Sequence, residues 1–271
     1  MQTEIKTDVA IDLEITDLKK SYSTNGQQLE VLDDLSFSVE RGSLVVLVGP
    51  SGCGKSTLLR IISGAIQPTS GDIIVDKDRA KNAASIEQSP ALFPWRTAFQ
   101  NAHIGAEIRS AREKTKVPKE KVNDVAVNKK IRDDFRLFGL DGFENSMPCE
   151  LSGGMQQRVA IIRALASEPE MLFCDEPFSA IDFVTRLDLN TKFKKISRNL
   201  KCTTLFVTHN IEEAIFLADR ILVLNGRPCE IVDEIRPQLS RFSEDAVKCR
   251  QSPEFPKYFD QIWEKLKPTS E

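Results

Sequence analysis

SLVVLVGPSGCGKSTLLRIISG (residues 43–64) runs from an apolar segment through a glycine-rich turn into a helical pattern. SLVVLV (43–48) is apolar almost throughout, as a strand covered on both faces of a parallel sheet must be. STLLRIISG carries its apolar residues at helical spacing and predicts a helix that closes at Gly64. Between them Gly49-Pro50-Ser51-Gly52-Cys53-Gly54-Lys55-Ser56 fits the pattern GxxxxGK[ST], followed by Thr57. Glycines there let successive backbone N–H groups curl around phosphate oxygens, and the helix N-terminus adds partial positive charge. Lys55 is then placed to reach the β- and γ-phosphates and Ser56 to ligate Mg²⁺. An ordinary glycine-rich turn is the alternative, and the strand–loop–helix context argues against it.

Working outward, IDLEITDL (11–18), EVLDDLSFSV (30–39) and GDIIVD (71–76) alternate with a period near two and predict half-buried strands. EMLFCD (170–175) and TTLFVT (203–208) are short apolar runs like the first. A helix is expected over 183–200, with Phe183, Leu187, Phe193, Ile196 and Leu200 on one face and Lys194, Lys195, Arg198 and Lys201 toward its cation-favouring end. Asn210 and Glu213 suggest a capping box for the helix IEEAIFLADR. Residues 98–150 are rich in charge and helical in pattern, and 112–124 read as a solvated connection. The last 45 residues read as a mixed tail containing one helix, YFDQIWEKLK. An α/β core that resumes after a helical interruption predicts one nucleotide-binding core with an inserted lobe.

Two further constellations carry chemistry. MLFCDE (171–176) is an apolar strand ending in two carboxylates, expected to place Asp175 at the Mg²⁺ and Glu176 against an attacking water. In LSGGMQQ (151–157), Ser152, Gly153 and Gly154 open a helix, giving a hydroxyl, two unobstructed amides and a helix N-terminus for an anion. A chain that already cradles a triphosphate at 49–56 has no need of a second cradle, so this one is assigned to the nucleotide of another subunit. A serine N-cap followed by closely packed glycines is the other reading.

Composition removes several classes. There are 37 Lys+Arg against 40 Asp+Glu, a net charge of −3, which is not the basic footprint of a bulk nucleic-acid binder. Six scattered cysteines without a CxxC pair favour free thiols, and neither histidine has a cysteine at zinc spacing. No apolar run approaches the ~20 residues needed to span a bilayer, and no secretory leader is expected from the N-terminal residues.

Taken with Gln88, the SAID segment ending in Asp182, and His209 at the end of TTLFVT, these motifs resemble the ATPase subunit of ABC transporters across about residues 11–235. The resemblance implies an α/β fold: a P-loop NTPase core with an antiparallel β subdomain and an inserted helical subdomain. The core would comprise about residues 11–88 and 169–225 and the helical lobe about 89–168, with 236–271 as a C-terminal tail. It implies that Tyr22 stacks on adenine and that Gln88 senses the γ-phosphate and Mg²⁺. Asp182 would serve as the D-loop aspartate and His209 as the switch histidine. ATP and Mg²⁺ are the implied ligands, clamped between residues 49–56 of one subunit and 151–155 of the other. LFPWRTAFQNA after Gln88, DEPFSAID and VTHNIEEAIFLADRILVL resemble the import ATPases of the nitrate, sulfonate and taurine group. That group works peripherally, on the cytoplasmic face of the inner membrane, with integral permease subunits and a solute-binding protein, and not on nucleic acid. AKNAASIEQ (80–88) lacks the usual apolar strand, so a less ordered edge is expected there. Cys53, inside the cradle, is expected to be open to alkylation.

Overall fold

Leu44–Val48 (β3) is buried at every position, and so are Met171–Asp175 (β6) and Thr203–Thr208 (β7). Strands with no solvent face cannot lie at the surface, and these three form the middle of a six-stranded sheet in the order β5-β6-β7-β3-β8-β9. Pairing is parallel except where Arg220–Asn225 (β8) meets Glu230–Ile235 (β9) antiparallel. Ile11–Thr24 (β1), Gln27–Glu40 (β2) and Ser70–Val75 (β4) form a separate antiparallel sheet in the order β2-β1-β4. The computed structural model describes residues 10–24, 27–113, 125–239 and 243–267. Most of the Lys-rich connection read at 112–124 therefore lies outside the described residues.

The first helix, Lys55–Ile62 (α1), ends at Ser63 with Gly64 at φ +77°, the left-handed stop that its sequence predicts. A short helix Lys77–Ala80 (α2) leads into Ala83–Ile86 (β5). Contrary to the expectation for AKNAASIEQ, this edge strand is regular and pairs in parallel with β6, Ala83 opposite Met171 and Ile86 opposite Cys174. An edge strand needs little apolar surface when a helix covers it. Here Arg112 of Ala98–Glu113 (α3) donates to Asn82 Oδ1 at 3.0 Å and to the Ala83 carbonyl at 3.3 Å.

Helices α3, Val125–Leu137 (α4) and Gly153–Ala166 (α5) pack together as the helical lobe. Helix α3 crosses α5 so closely that a Cβ on Gly105 would stand 1.9 Å from the Arg163 carbonyl. Phe183–Leu200 (α6) has the predicted bounds but a rotated face. Its buried residues are Leu189, Asn190, Phe193, Lys194 and Ser197, while Phe183 is half exposed. Lys194 is not a surface cation. It is buried, donates to the Phe216 carbonyl, lies 4.6 Å from the Phe216 ring centre, and burial lowers its pKa to about 8.

Ile211–Leu217 (α7) ends three residues before the predicted limit, because Asp219 turns to accept the Leu44 amide at 2.9 Å and Arg220 enters β8. Asn210 caps α7 through the Glu213 amide, but the Glu213 carboxylate does not return the bond. It is buried and accepts from the Thr208 hydroxyl at 2.5 Å. Residues beyond β9 do not hang free: Leu239, Ala246, Cys249, Phe255 and Ile262 are buried in the same core as the sheet. Ala246–Cys249 (α8) touches α6, and Phe255–Leu266 (α9) lies on α7 and β8.

Phe178, Phe193 and Phe206 meet at ring-centre distances of 5.7–5.9 Å, joining the loop after β6, helix α6 and strand β7. All three are essentially inaccessible to solvent. Phe193→Ala should therefore cost about 3–5 kcal/mol of stability, read from the urea midpoint. A loss below ~1 kcal/mol would mean that this cluster does not hold α6 to the sheet.

Candidate functional site

Parallel register brings the carboxyl ends of four strands into one row. Val48 stands opposite Thr208, Asp175 opposite Val207, and Ile86 opposite Cys174. The segments that follow, residues 49–54, His209, Glu176 and Glu87-Gln88, therefore emerge side by side, where open α/β sheets take their ligands.

At this edge α1 differs from its neighbours. Ser152, Asp182 and Asn210 each cap their own helices, accepting from Met155, Thr185 and Glu213 amides at 3.1–3.3 Å. Helix α1 has Gly54 at its N-cap, no side-chain cap and no acid in its first turn. Its amides remain open to an anion, the arrangement a phosphate needs. Gly54 sits at φ +112°, where any Cβ would be strained and would press to 2.9 Å from Leu32 Cδ2. Lys55 is buried and donates to the Gly49 and Pro50 carbonyls at 2.9 and 2.8 Å.

Ser56 Oγ donates to Asp175 Oδ1 at 2.9 Å. Burial pushes the Asp175 carboxyl above its ordinary range, an effect that the Ser56 hydrogen bond opposes. A hydroxyl and a carboxylate this close fit a hard divalent cation, which takes oxygen ligands and keeps several for water or phosphate. Among the described residues no group of three or more His, Cys, Asp or Glu could hold a metal unaided. The site thus suits an ion that arrives with phosphate.

Glu176 has φ +45°, an uncommon value for a residue with a side chain. Its amide donates to the Val207 carbonyl at 3.0 Å, and its Oε2 lies 2.9 Å from His209 Nδ1. The two proposed catalytic side chains are therefore in direct contact. Gln88 is exposed two residues beyond β5, and the preceding Glu87 carbonyl accepts from Gln157 Nε2 at 3.0 Å. Tyr22 is exposed on β1, with Lys20 Nζ 4.9 Å from its ring centre, and pairs with Leu29 of β2, the strand that carries Leu32 to Gly54.

Ser152 is engaged as the N-cap of α5, accepting from the Met155 amide. A Cβ on Gly153 would still face open space, whereas on Gly154 it would approach the Ala180 carbonyl of the SAID segment to 3.2 Å. Asp182 spends its carboxylate on the Thr185 amide, the largest cause of its lowered pKa.

Several positioning residues escaped sequence reasoning. Buried Asn101 accepts the Phe93 amide at 2.8 Å and donates to the carbonyls of Phe93, Arg96 and Thr97. Arg163 donates to the Pro90 and Ala91 carbonyls, both at 2.9 Å. With Gln157, these side chains fix the whole path from Glu87 to Thr97. A lone Asn in the apolar run AFQNAHIGA was the available signal for Asn101.

Comparison with known proteins identifies the family. The family model described as ABC transporter matches residues 32–179. The chain belongs to the ABC transporter ATPase family. It is 40% identical over 230 residues to the aliphatic sulfonates import ATP-binding protein SsuB of Bacillus thuringiensis subsp. konkukian, covering 83% of this chain and 86% of that one. It is 38% identical over 258 residues to the nitrate import ATP-binding protein NrtD of Synechocystis sp., covering 92% and 93%. Among solved structures, a dimeric post-hydrolysis state of the ATP-binding cassette MJ0796 bound to ADP and Pi superposes with a TM-score of 0.70 at 28% identity, covering 83% of this chain and 98% of that one. As a member of this family the ABC ATPase binds ATP and hydrolyses it to power transport. Among the described residues no helix is long and apolar enough to cross a membrane.

The expectation that Cys53 is open to alkylation is corrected: it is 3% exposed, its thiol tucked beneath the loop. Of the six cysteines, only Cys149 is exposed. A bulky maleimide should add once per folded chain, at Cys149, and to all six thiols after denaturation, as intact mass would read. Modification of Cys53 in the native protein would show that the loop opens.

Proposed function

We propose that this ABC ATPase energises an importer of a small anionic solute such as nitrate, a sulfonate or taurine. It would pair with a second ATPase subunit, identical or homologous, and dock on integral membrane permease subunits fed by a solute-binding protein. Its place would be the cytoplasmic face of the cell membrane. The solute class rests on relatives named for sulfonate, nitrate and bicarbonate transport at 36–40% identity. Coupling to a membrane partner rests on one observation: Trp95 is 70% exposed.

That exposure excludes a role for Trp95 as a plug of the lobe's own core. Its ring lies 5.3 Å from that of half-exposed Phe93, and Arg96 lies over Phe93 at 5.8 Å. An aromatic pair with an arginine, held at the surface by buried Asn101, has the composition of an interface anchor. The same loop begins at Gln88, beside the phosphate site, so a shift at the γ-phosphate is passed to the ledge through a braced segment.

In hydrolysis, residues 49–57 cradle the phosphates through backbone amides and Lys55, and Tyr22 supports the adenine. Mg²⁺, when held by Ser56, Asp175 and Gln88, supplies charge neutralisation at the phosphates. Glu176 orients the attacking water and accepts its proton, and His209, in contact with Glu176, faces the γ-phosphate. Ser152, Gly153 and Gly154, with Asp182, close on the nucleotide of the partner subunit. An exporter subunit is the second reading, and a soluble ABC-type ATPase a weaker one that the exposed ledge disfavours.

Glu176→Gln should retain MgATP binding and lose at least ~100-fold in phosphate release. Turnover at the parent rate would remove Glu176 from the mechanism. Trp95→Ala should fold and keep near-normal basal ATPase activity, yet assemble weakly with the permease or lose transport. Normal transport by that variant would eliminate the coupling role. For the solute, ATPase stimulation of the assembled transporter across nitrate, aliphatic sulfonates and taurine should single out one anion. Stimulation by none of them would refute the assigned class.

A further inference from the structure

Two thiols to which the hydrolytic scheme gives no chemical step meet beneath the phosphate loop. Cys53 belongs to the loop, and Cys229 lies in the turn between β8 and β9, fully buried. Both segments rest on the same stretch of β2. The Cys229 amide donates to the Val31 carbonyl at 2.9 Å, and the Asp33 amide donates to the Cys229 carbonyl at 3.2 Å. Gly54, next to Cys53, comes so near that a Cβ there would stand 3.1 Å from that same Val31 carbonyl. On the other side, the position of a Gly49 Cβ lies 3.2 Å from Cys53 Sγ and 2.4 Å from the carbonyl of Leu224, in the strand that leads to Cys229. Packed in this way, the Cys229 thiol is placed to donate to the Cys53 sulfur, and the two titrate against each other.

That contact divides the labour between them. The hydrogen bond from Cys229, and next to it the charge of Lys55, whose Nζ lies 3.9 Å from the sulfur, hold the Cys53 thiol below the ordinary cysteine range. Cys229 is correspondingly held as the protonated donor. Cys202 also raises Cys174, but burial is the main cause for both and takes Cys202 to about 12, which leaves neither as a nucleophile.

We propose that Cys53 and Cys229 form a reversible disulfide that staples the phosphate loop to the β8–β9 turn and arrests nucleotide binding. The oxidant is hydrogen peroxide, small enough to enter where a maleimide cannot. The Cys53 thiolate attacks one peroxide oxygen, the O–O bond breaks, and the released hydroxide takes a proton to become water. The Cys229 sulfur then displaces hydroxide from the resulting Cys53 sulfenic acid, and the Cys229 proton leaves with it as a second water. Two thiols and one peroxide give one disulfide and two waters, with two electrons passing from sulfur to oxygen. A dithiol returns the two electrons and two protons.

An S–S bond of about 2.05 Å requires the two sulfurs to close to covalent distance, which draws Cys53 and the neighbouring Gly52, Gly54 and Lys55 amides toward Cys229. The inhibitory part of the proposal rests on the phosphate-binding role given above to residues 49–56. The disulfide itself does not.

The test uses the full chain with Cys149→Ser, which removes the exposed thiol. After peroxide treatment and blocking of residual thiols under denaturing conditions, non-reducing peptide mapping should return a cross-linked pair containing Cys53 and Cys229. Binding of a fluorescent ATP analogue should fall at least about tenfold and recover on addition of dithiothreitol. Cys229→Ser in the same background should bind nucleotide like its parent and resist peroxide. Should that variant fail to fold, the parent's peptide map and its recovery by dithiothreitol still decide. Absence of the linked peptide, a linked peptide with unchanged nucleotide binding, or equal peroxide sensitivity of Cys229→Ser would each overturn the proposal. A reduced parent that binds no nucleotide would instead overturn the phosphate-site reading and with it the inhibitory role, whereas the peptide map reports on the disulfide independently.

Discussion

Main-chain ladders joining β6 to β7 and β7 to β3 set the spacing on which the rest of the molecule depends. These strands have no solvent-facing side, so a slip of register by one residue would turn every buried side chain to the opposite face. The penalty locks Val48 opposite Thr208 and Asp175 opposite Val207. Because the register cannot drift, Ser56 in the first turn of α1 finds Asp175 at 2.9 Å, and His209 finds Glu176 at the same distance. The site is held by backbone pairing beneath it more than by contacts within it.

Legibility in the sequence follows the same division. Backbone-governed features were readable: the apolar runs gave β3, β6 and β7, and the helix over 183–200 was placed to the residue. Features that depend on long-range partners were not. The face of α6 is simpler in sequence than in the fold, because pattern reading assigns lysines to solvent, and Lys194 finds the Phe216 carbonyl and ring only once α7 has packed. The composition of edge strand β5 alone predicts little order, whereas its order comes from β6 beside it and Arg112 above it. The position of Glu213 predicts a cap, but the hydroxyl that claims it belongs to Thr208 at the end of β7.

The candidate site divides likewise. Glycine spacing and the paired carboxylates single out the residues proposed for phosphate and metal, since that chemistry depends on residues close in sequence. The braces that hold the loop from Gln88 to Trp95 were silent, because Asn101, Gln157 and Arg163 bind backbone carbonyls, and such targets leave no residue-type signature. A surface tryptophan is equally ambiguous in sequence. Only the packing around Phe93 and Asn101 separates an exposed ledge from a core plug.

The phosphate loop also solves a problem of charge. An ammonium as deeply buried as that of Lys55 would be costly without partners. Two of its three donors are met by the Gly49 and Pro50 carbonyls, so the loop itself solvates the charge. A phosphate oxygen bound there, as proposed, would exchange neutral acceptors for a charged one, and charge-assisted bonds of that kind are roughly twice as strong as neutral ones. The exchange would require little movement of the lysine, because helix α1 already fixes its backbone and the amides beside it carry no side-chain cap. At the proposed phosphate site, binding energy would therefore come from replacing partners around a charge already in place, with little of it spent on ordering the chain.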